Sequence, residues 1–176
     1  MTTLNATQGS LLGFLHEGPK TGWELLQAVE GGLSRFWNVT SSHVYRELRT
    51  LEDRGLATAG APGTRAKVPF TITAAGRRAF REWIVQAPGS EQIRFPLLVT
   101  LWFGRFLEPD VLDEFLRRAR AEHVRRLDLY TAIGPAWDDD PHRQAVIRFG
   151  IAYEEAIANW LAALTGDGEW RGSGAR

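Results

Sequence analysis

The stretch SSHVYRELRTLEDRGLATAGAPGTRAKVPFTIT, residues 41–73, decides the fold of this chain. In its first half Val44, Leu48 and Leu51 follow the i, i+4, i+7 spacing that places apolar side chains along one face of a helix. Because the other positions are mostly polar, we predict a surface helix that buries this single stripe.

The opposite face of the predicted helix carries side chains that offer hydrogen bonds or positive charge. Thr40 or Ser41 can cap the start of the helix, and Gly55 can adopt the left-handed conformation that ends it. The outward residues, with a tyrosine at the flank, are Ser42, Tyr45, Arg46, Arg49 and Asp53.

A hairpin pattern follows over residues 56–73. It combines a short strand, a Gly/Pro turn that carries Arg65 and Lys67, and a second strand from Phe70 to Thr73. A helix with a polar outer face and then a basic hairpin is the outline of a winged helix-turn-helix, whose helix enters the DNA major groove. A solvated surface helix would carry the same outer face, so this segment alone leaves both interpretations open.

Helices on both sides of this stretch complete the predicted domain. Apolar spacing predicts helices over residues 5–17, 22–30 and 74–86. The second begins at a capping box, in which the Thr21 hydroxyl accepts from the backbone N–H of Glu24 and the Glu24 carboxylate accepts from that of Thr21. Three helices followed by a hairpin is the order that a winged helix requires.

Composition excludes several classes of protein. The chain has 176 residues, no cysteine and a net charge of zero, so disulfides and thiolate metal sites are excluded. The longest apolar run, residues 95–107, contains Arg105 and is too short to span a bilayer. No basic residue precedes the first apolar run, which makes a poor signal peptide. We therefore predict a cytoplasmic protein without a membrane segment.

Charge is unevenly distributed along the chain. Residues 1–90 carry 10 Lys and Arg against 7 Asp and Glu, whereas residues 91–176 carry 11 against 14. Within residues 43–81 there are 8 basic and 3 acidic side chains. Because a DNA-binding surface needs a basic patch rather than a basic protein, this imbalance favours the first half as the DNA-binding part.

The second half is predicted to be helical over residues 95–107, 109–133 and 141–164. The first of these helices is apolar nearly all round, so we expect both of its faces to be buried. This much apolar surface exceeds what three helices can bury among themselves, which predicts burial against a second copy. The predicted stripes are Leu112, Phe115, Ala119, His123, Leu127 and Tyr130, then Val146, Phe149, Tyr153, Ile157, Trp160 and Leu164, with a narrower one of Ile147, Ile151, Ala158 and Ala162.

The predicted fold class is mainly α, in two domains. A winged helix-turn-helix DNA-binding domain with a two-stranded wing occupies residues 1–88. A helical dimerisation domain, which also offers a ligand site, occupies residues 89–165, and a flexible tail follows over residues 166–176. The Pro-Gly-Ser segment at residues 88–90 marks the boundary.

Four stretches resemble the PadR family of bacterial transcriptional regulators in its longer form. LLGFLHEGPKTGWELLQAVE (11–30) is similar to the family's opening, SSHVYRELRTLEDRGLATA (41–59) to its recognition helix, and FTITAAGRRAFREWI (70–84) to its second wing strand and next helix. GIAYEEAIANWLAAL (150–164) resembles the end of its C-terminal helical domain. The resemblance implies a homodimer, an inverted-repeat operator in double-stranded DNA, repression, and release by a small aromatic effector.

Three positions depart from the family pattern: Trp23, Pro69 and the segment Arg94-Phe95-Pro96, which replaces the usual charged start of the first C-terminal helix. Trp23 stands where the family usually has tyrosine, which we interpret as a conservative change in a core role. Pro69 falls in the usual Tyr-rich wing strand and cannot donate a ladder hydrogen bond, so we expect that strand to be short or irregular.

Two sets of candidate site residues follow from the helix pattern and the resemblance. Arginine can bind guanine O6 and N7, and hydroxyl groups usually bind phosphates. The predicted DNA-binding residues are Thr21, Ser41, Ser42, Tyr45, Arg46, Arg49, Arg65 and Lys67. The candidate ligand-binding residues, for which ordinary core and dimer packing is the alternative, are Phe95, Trp102, Phe103, Phe149, Tyr153 and Trp160.

Two other function classes compete with a DNA-binding regulator. A winged-helix protein-interaction module would keep the apolar stripe but would not need Arg46 and Arg49. An enzyme would need a polar constellation, and the chain contains no nucleophile elbow, phosphate-binding glycine loop or zinc motif. We interpret residues 138–140, three aspartates, as a solvated loop whose last member caps a helix. No catalytic residue, metal or cofactor is predicted.

Overall fold

The computed structural model of the chain divides into two compact units, Met1–Ser90 and Glu91–Arg176. It describes residues 3–32, 39–61, 68–90, 93–134 and 140–165. The predictions for Arg65, Lys67 and the tail 166–176 lie outside these residues, as do those for the first two aspartates of residues 138–140.

Four helices form most of the first unit. Each helix predicted on either side of residues 41–73 within this unit is found within two residues of its predicted limits. The bounds are α1 Ala6–Leu15, α2 Gly22–Gly32, α3 Ser41–Asp53 and α4 Ala74–Ile84. These helices surround one hydrophobic core, to which α1 contributes Leu11, Leu12 and Leu15.

Helix α3 forms as its sequence predicts. The Thr40 Oγ1 accepts from the His43 backbone N–H at 3.3 Å, so Thr40 is the N-cap, and Gly55 takes the left-handed φ of 67°. The predicted stripe of Val44, Leu48 and Leu51 is completely buried. Burial stabilises each of these side chains by about 1.5–3 kcal/mol, which anchors the helix on one side.

A three-stranded antiparallel sheet completes the first unit. Its strands are β1 Lys20–Thr21, β2 Ala57–Ala59 and β3 Pro69–Ile72, in the order β1-β3-β2. Strands β2 and β3 form the predicted wing, whereas β1 is too short to show a strand pattern in the sequence. Pro69 is the first residue of β3, where its missing N–H removes little pairing, and its carbonyl accepts from the Gly60 N–H at 2.8 Å.

The second unit is built on two long helices. Its elements are α5 Pro96–Trp102, a 3₁₀ turn Gly104–Phe106, α6 Pro109–Ile133 and α7 Pro141–Thr165. Helices α6 and α7 match their predictions and pack along each other around Leu112, Leu116 and Leu161.

The predicted helix over residues 95–107 is wrong in length, and the burial predicted for its faces is not provided within this chain. Helix α5 ends at Trp102, where Phe103 leaves helical geometry with φ −102° and ψ 16°. None of residues 96–106, all of which the structure describes, is buried within this chain. The exposed large apolar side chains here are Leu98, Val99, Trp102, Phe103 and Phe106.

The predicted apolar stripes of α6 and α7 need correction as well. Leu116 replaces Phe115 as the deeply buried residue of α6, and the wider α7 stripe leaves Val146 and Phe149 exposed. The buried α7 residues are Ile147, Gly150, Glu154, Ala158 and Leu161. Small residues decide this choice: a Cβ at Gly150 would stand 3.1 Å from the ring of Tyr130, so glycine lets the two helices approach closely.

Candidate nucleic-acid interface

The outer face of α3 is the predicted DNA-binding surface. Ser41, Ser42, Tyr45, Arg46 and Arg49 are all exposed, opposite the buried stripe. A rigid helix that presents two guanidinium groups and three hydroxyl groups can bind phosphates and base edges without rearrangement.

Tyr45 also contacts the start of α2. A Cβ added at Gly22 would lie 2.4 Å from the Tyr45 ring, so a larger residue there would require that ring to move. The predicted capping box next to it is confirmed: the Glu24 N–H donates to Thr21 Oγ1 at 3.2 Å, and the Thr21 N–H donates to Glu24 Oε2 at 2.7 Å. The structure therefore brings the start of α2 against the flank of α3.

Trp23 does not have the core role that we predicted. It lies in the first turn of α2 with 52% of its surface exposed. Tryptophan resembles tyrosine in size and polarity, but whether residue 23 is buried depends on which face of α2 packs against the core. Leu25 and Val29 occupy the buried face instead.

A buried carboxylate lies behind the exposed outer face of α3. Glu47 is only 7% exposed. Its Oε2 accepts from Gln8 Nε2 at 2.8 Å and from Asn5 Nδ2 at 3.2 Å. Its Oε1 lies 3.2 Å from His43 Nε2 and 3.4 Å from Arg46 Nη2. Sequence reasoning missed this group.

Glu47 remains ionised because its surroundings favour the charge. Burial acts to raise the pKa of this carboxyl group, but hydrogen bonds from Gln8, Asn5 and Arg46, with the nearby His43, lower the pKa below its ordinary value. The signal in the sequence was a glutamate three residues after Val44, next to Leu48, on a helix whose neighbouring positions are buried.

Among the six candidate ligand residues, two pairs of aromatic rings lie close together. The rings of Phe95 and Trp160 lie edge to face at 6.2 Å, and those of Phe149 and Tyr153 lie 6.3 Å apart. Trp102 ends α5 with 81% of its surface exposed, and Phe103 is exposed after it. The structure thus gives two aromatic pairs and an exposed apolar segment.

The Phe95 ring also contacts a buried charged cluster between α6 and α7. Its centroid lies 5.9 Å from that of His123. His123 Nδ1 is 2.5 Å from Glu154 Oε2, which is also 3.6 Å from Arg126 Nη1. His123 is therefore paired with a fully buried carboxylate.

An open cleft of about 510 Å³ lies elsewhere on the second unit. Its lining residues, none of which is among the candidate ligand residues, are Leu127, Asp128, Thr131, Ala132, Ile151 and Glu155. Within the described ranges, no three histidine or carboxylate side chains are grouped to hold a metal ion. Nor is any helix there long and apolar enough to cross a membrane.

Comparison with protein families gives two matches, one in each half of the chain. Residues 11–82 match the family described as "Transcriptional regulator PadR-like family". Residues 93–165 match the family described as "Virulence activator alpha C-term". The first match contains the whole of α3 and the sheet, and the second contains α5, α6 and α7.

Two relatives are similar to most or much of the chain. The "Probable transcriptional regulator Rv1176c" of Mycobacterium tuberculosis is 27% identical over 173 residues, which cover 86% of this chain and 92% of the relative. The "Negative transcriptional regulator PadR" of Bacillus subtilis is 26% identical over 121 residues, covering 64% of this chain and 66% of the relative.

Solved structures of the Bacillus subtilis protein share the fold. Its complex with operator DNA has a TM-score of 0.76 at 19% identity and covers 93% of this chain and 99% of that one. Its complex with p-coumaric acid has a TM-score of 0.70 at 19% identity and covers 93% and 98%.

Proposed function

The chain belongs to the PadR-like family of transcriptional regulators, and from this premise we propose that it is a repressor released by a small aromatic ligand. It binds an inverted-repeat operator as a homodimer. The exposed Arg46 and Arg49, on a helix whose other side is completely buried, carry this proposal. Family members are transcriptional regulators rather than enzymes.

Binding energy and specificity come from different contacts. Lysine and arginine neutralise phosphates, which supplies affinity for any DNA, whereas side chains that reach base edges select the sequence. Two copies of α3 read two half-sites whose centres are separated by about 34 Å, one turn of the duplex.

The second unit supplies the homodimer. Its exposed apolar side chains on α5 and α7, among them Val99 and Phe149, would remain in water in a single chain. Burial against the same surface of a second copy removes that cost and gives the two-fold symmetry that an inverted repeat requires.

The effector is proposed to be a planar aromatic compound. The Bacillus subtilis relative has been solved with p-coumaric acid. The paired rings of Phe95 and Trp160 offer edges and faces of the kind that such a ligand contacts. A ligand that shifts the two subunits would change the separation of the α3 helices, and the dimer would leave its operator.

The experiment is a binding titration with the DNA immediately upstream of the gene for this chain. Fluorescence anisotropy is recorded from about 50 to about 200 mM salt, where loss of phosphate contacts lowers affinity steeply. One dimer per site, a steep salt slope and preference over a scrambled duplex are expected. Weak binding without sequence preference, to this DNA and to duplexes selected from a random pool, would contradict the proposal.

The ligand is tested in the same assay with p-coumaric acid as the probe. Release of the operator is expected. The controls are buffer without p-coumaric acid and a non-aromatic acid of equal charge. Operator affinity that no aromatic acid changes would contradict the effector part of the proposal and leave the DNA-binding part standing.

A further inference from the structure

We propose that His43 is a proton-dependent DNA contact, which binds an acceptor atom of the operator when its ring is protonated while Glu47 holds the other ring nitrogen. This inference rests on the proposed DNA-binding function. It adds a contact residue that the outer-face pattern did not include, and it makes operator affinity depend on pH.

The position of His43 places it at the DNA-facing start of α3. It is the third residue of the helix, between the exposed Ser42 and the buried Val44. Its side chain is 35% exposed, and its Nε2 lies 3.2 Å from Glu47 Oε1. In helix-turn-helix proteins, the first residues of the recognition helix contact base edges.

The hydrogen bonds of Glu47 determine which ring nitrogen of His43 carries hydrogen. All its other partners, on Gln8, Asn5 and Arg46, are N–H donors. The carboxylate is ionised, because these partners lower its pKa, so it has no proton to donate. His43 Nε2, 3.2 Å from Glu47 Oε1, must therefore be the donor in that contact.

Two states of the ring follow from this assignment. In the neutral ring Nδ1 carries a lone pair, which repels a phosphate oxygen or a guanine N7 or O6. In the protonated ring Nδ1 carries hydrogen and donates to the same atom, with a positive charge that a phosphate strengthens. DNA binding therefore takes up a proton at Nδ1, and both ring nitrogens donate in the complex.

The charges that face this group are mixed rather than uniformly positive. On α3 they are Glu47 and Arg46, and on α1 the groups that reach the carboxylate are the amides of Asn5 and Gln8. Arg54 donates to Gln8 Oε1 at 2.9 Å on the far side of the network. The anionic Glu47 carboxylate therefore offsets the positive charge of the nearby Arg46 guanidinium.

The test is operator affinity against pH at constant ionic strength, using a duplex that the full chain selects from a random pool. From about pH 8 to about pH 6 we expect affinity to rise about 5- to 50-fold, since each subunit takes up one proton. His43→Gln, which can still donate to Glu47, is expected to lose this dependence. His142→Gln, an exposed histidine of α7, is the matched control and should follow the original chain.

Each outcome decides one point. Specific binding without pH dependence, or dependence retained by His43→Gln, overturns this inference alone. Absence of any sequence preference between these pH values overturns the proposed function and this inference with it. If the pH dependence also appears with a scrambled duplex, the DNA atom that accepts from His43 is a phosphate oxygen. If it appears only with the selected duplex, that atom lies on a base edge.

Calorimetry gives a second measurement that needs no variant. Titration of the duplex in two buffers of different ionisation enthalpy at about pH 7 reports the protons taken up per subunit. A proton uptake that falls as the pH is lowered supports the proposal. Zero uptake across the range overturns it.

Discussion

Glu47 shows how one residue links the recognition helix to the rest of the first unit. It sits on α3, but its hydrogen-bond donors Asn5 and Gln8 come from the cap and first turn of α1. The same carboxylate reaches Arg46 and His43 on the outer side. A buried charge that every neighbour satisfies fixes the rotation of α3, because turning the helix would leave these donors unpaired.

Replacement of Glu47 tests this at the level of stability. Glu47→Ala leaves the donors of Asn5 and Gln8 without an acceptor, which costs about 1–3 kcal/mol in urea unfolding at neutral pH. Glu155→Ala, an exposed carboxylate of α7, is the control and should change little. Equal stability of the two variants would contradict the role of the network.

The pH dependence of stability gives a separate prediction. The pKa of Glu47 is lowered in the folded state from its ordinary 4.5, so its ionised form stabilises the fold. That contribution is complete above 4.5 and is lost as pH falls through the lower folded-state pKa. The free energy of unfolding of the original chain should therefore fall more steeply as the pH is lowered than that of the Glu47→Gln variant. Parallel curves would count against this prediction.

Arg46 and Arg49 carry the prediction for DNA binding. Each change to alanine should weaken operator binding by about 1–3 kcal/mol, roughly 5- to 150-fold. If the lost side chain contacted a base, its removal should also relax the sequence preference. If it contacted a phosphate, its removal should instead lower the slope of affinity against salt. Arg117→Ala on α6 is the matched control. Unchanged anisotropy titrations for both α3 variants would favour the protein-interaction module.

At the scale of elements, the junction between wing and α4 depends on backbone contacts. The Thr73 hydroxyl donates to the Gly55 carbonyl at 2.7 Å and accepts from the Gly76 N–H at 3.0 Å, so it caps α4 and joins it to the end of α3. Gly76 itself lies against Leu56: an added Cβ would stand 2.0 Å from the Leu56 carbonyl oxygen.

Gly76→Ala should therefore destabilise the first unit. Backbone atoms cannot move aside as a side chain can, so the cost should reach or exceed about 1–3 kcal/mol, the range for overpacking. Gly89→Ala is the control, since nothing lies within 4 Å of its added Cβ. Thermal unfolding compares the two, and an unchanged midpoint for Gly76→Ala would show that the junction can relax.

At the scale of the whole molecule, two units carry separate parts of the proposed task. The first buries a core within one chain and presents a polar helix face, whereas the second leaves large apolar side chains of α5 and α7 exposed. Apolar surface of this extent is typical of an association surface. Regulation by an effector would then require both parts in one dimer.

A charged residue in the apolar surface should separate the dimer. Val99→Asp combined with Phe149→Asp places charges where the proposed interface excludes water, so sedimentation should show monomers. Operator affinity should fall as well, since one half-site contact is lost. Val85→Asp, an exposed apolar residue of the first unit, is the control and should stay dimeric. Dimers in the double variant would place the interface elsewhere.

Local sequence determined most of the secondary structure and one side of the candidate site. Periodicity acts over a few residues, so α3 with its buried stripe and its exposed arginines followed from the chain alone, whereas the structure chose Thr40 over Ser41 as its cap. The order of helices and wing followed for the same reason.

Tertiary structure decided what depends on distant partners. Glu47 is buried because residues about 40 positions earlier satisfy its charge. Helix α7 buries Gly150 against the Tyr130 ring of α6, whereas Val146 and Phe149 of its wider apolar stripe stay exposed. Strand β1 exists only by pairing with β3. Such partners lie far apart in sequence, and local pattern contains no information about which of them will meet.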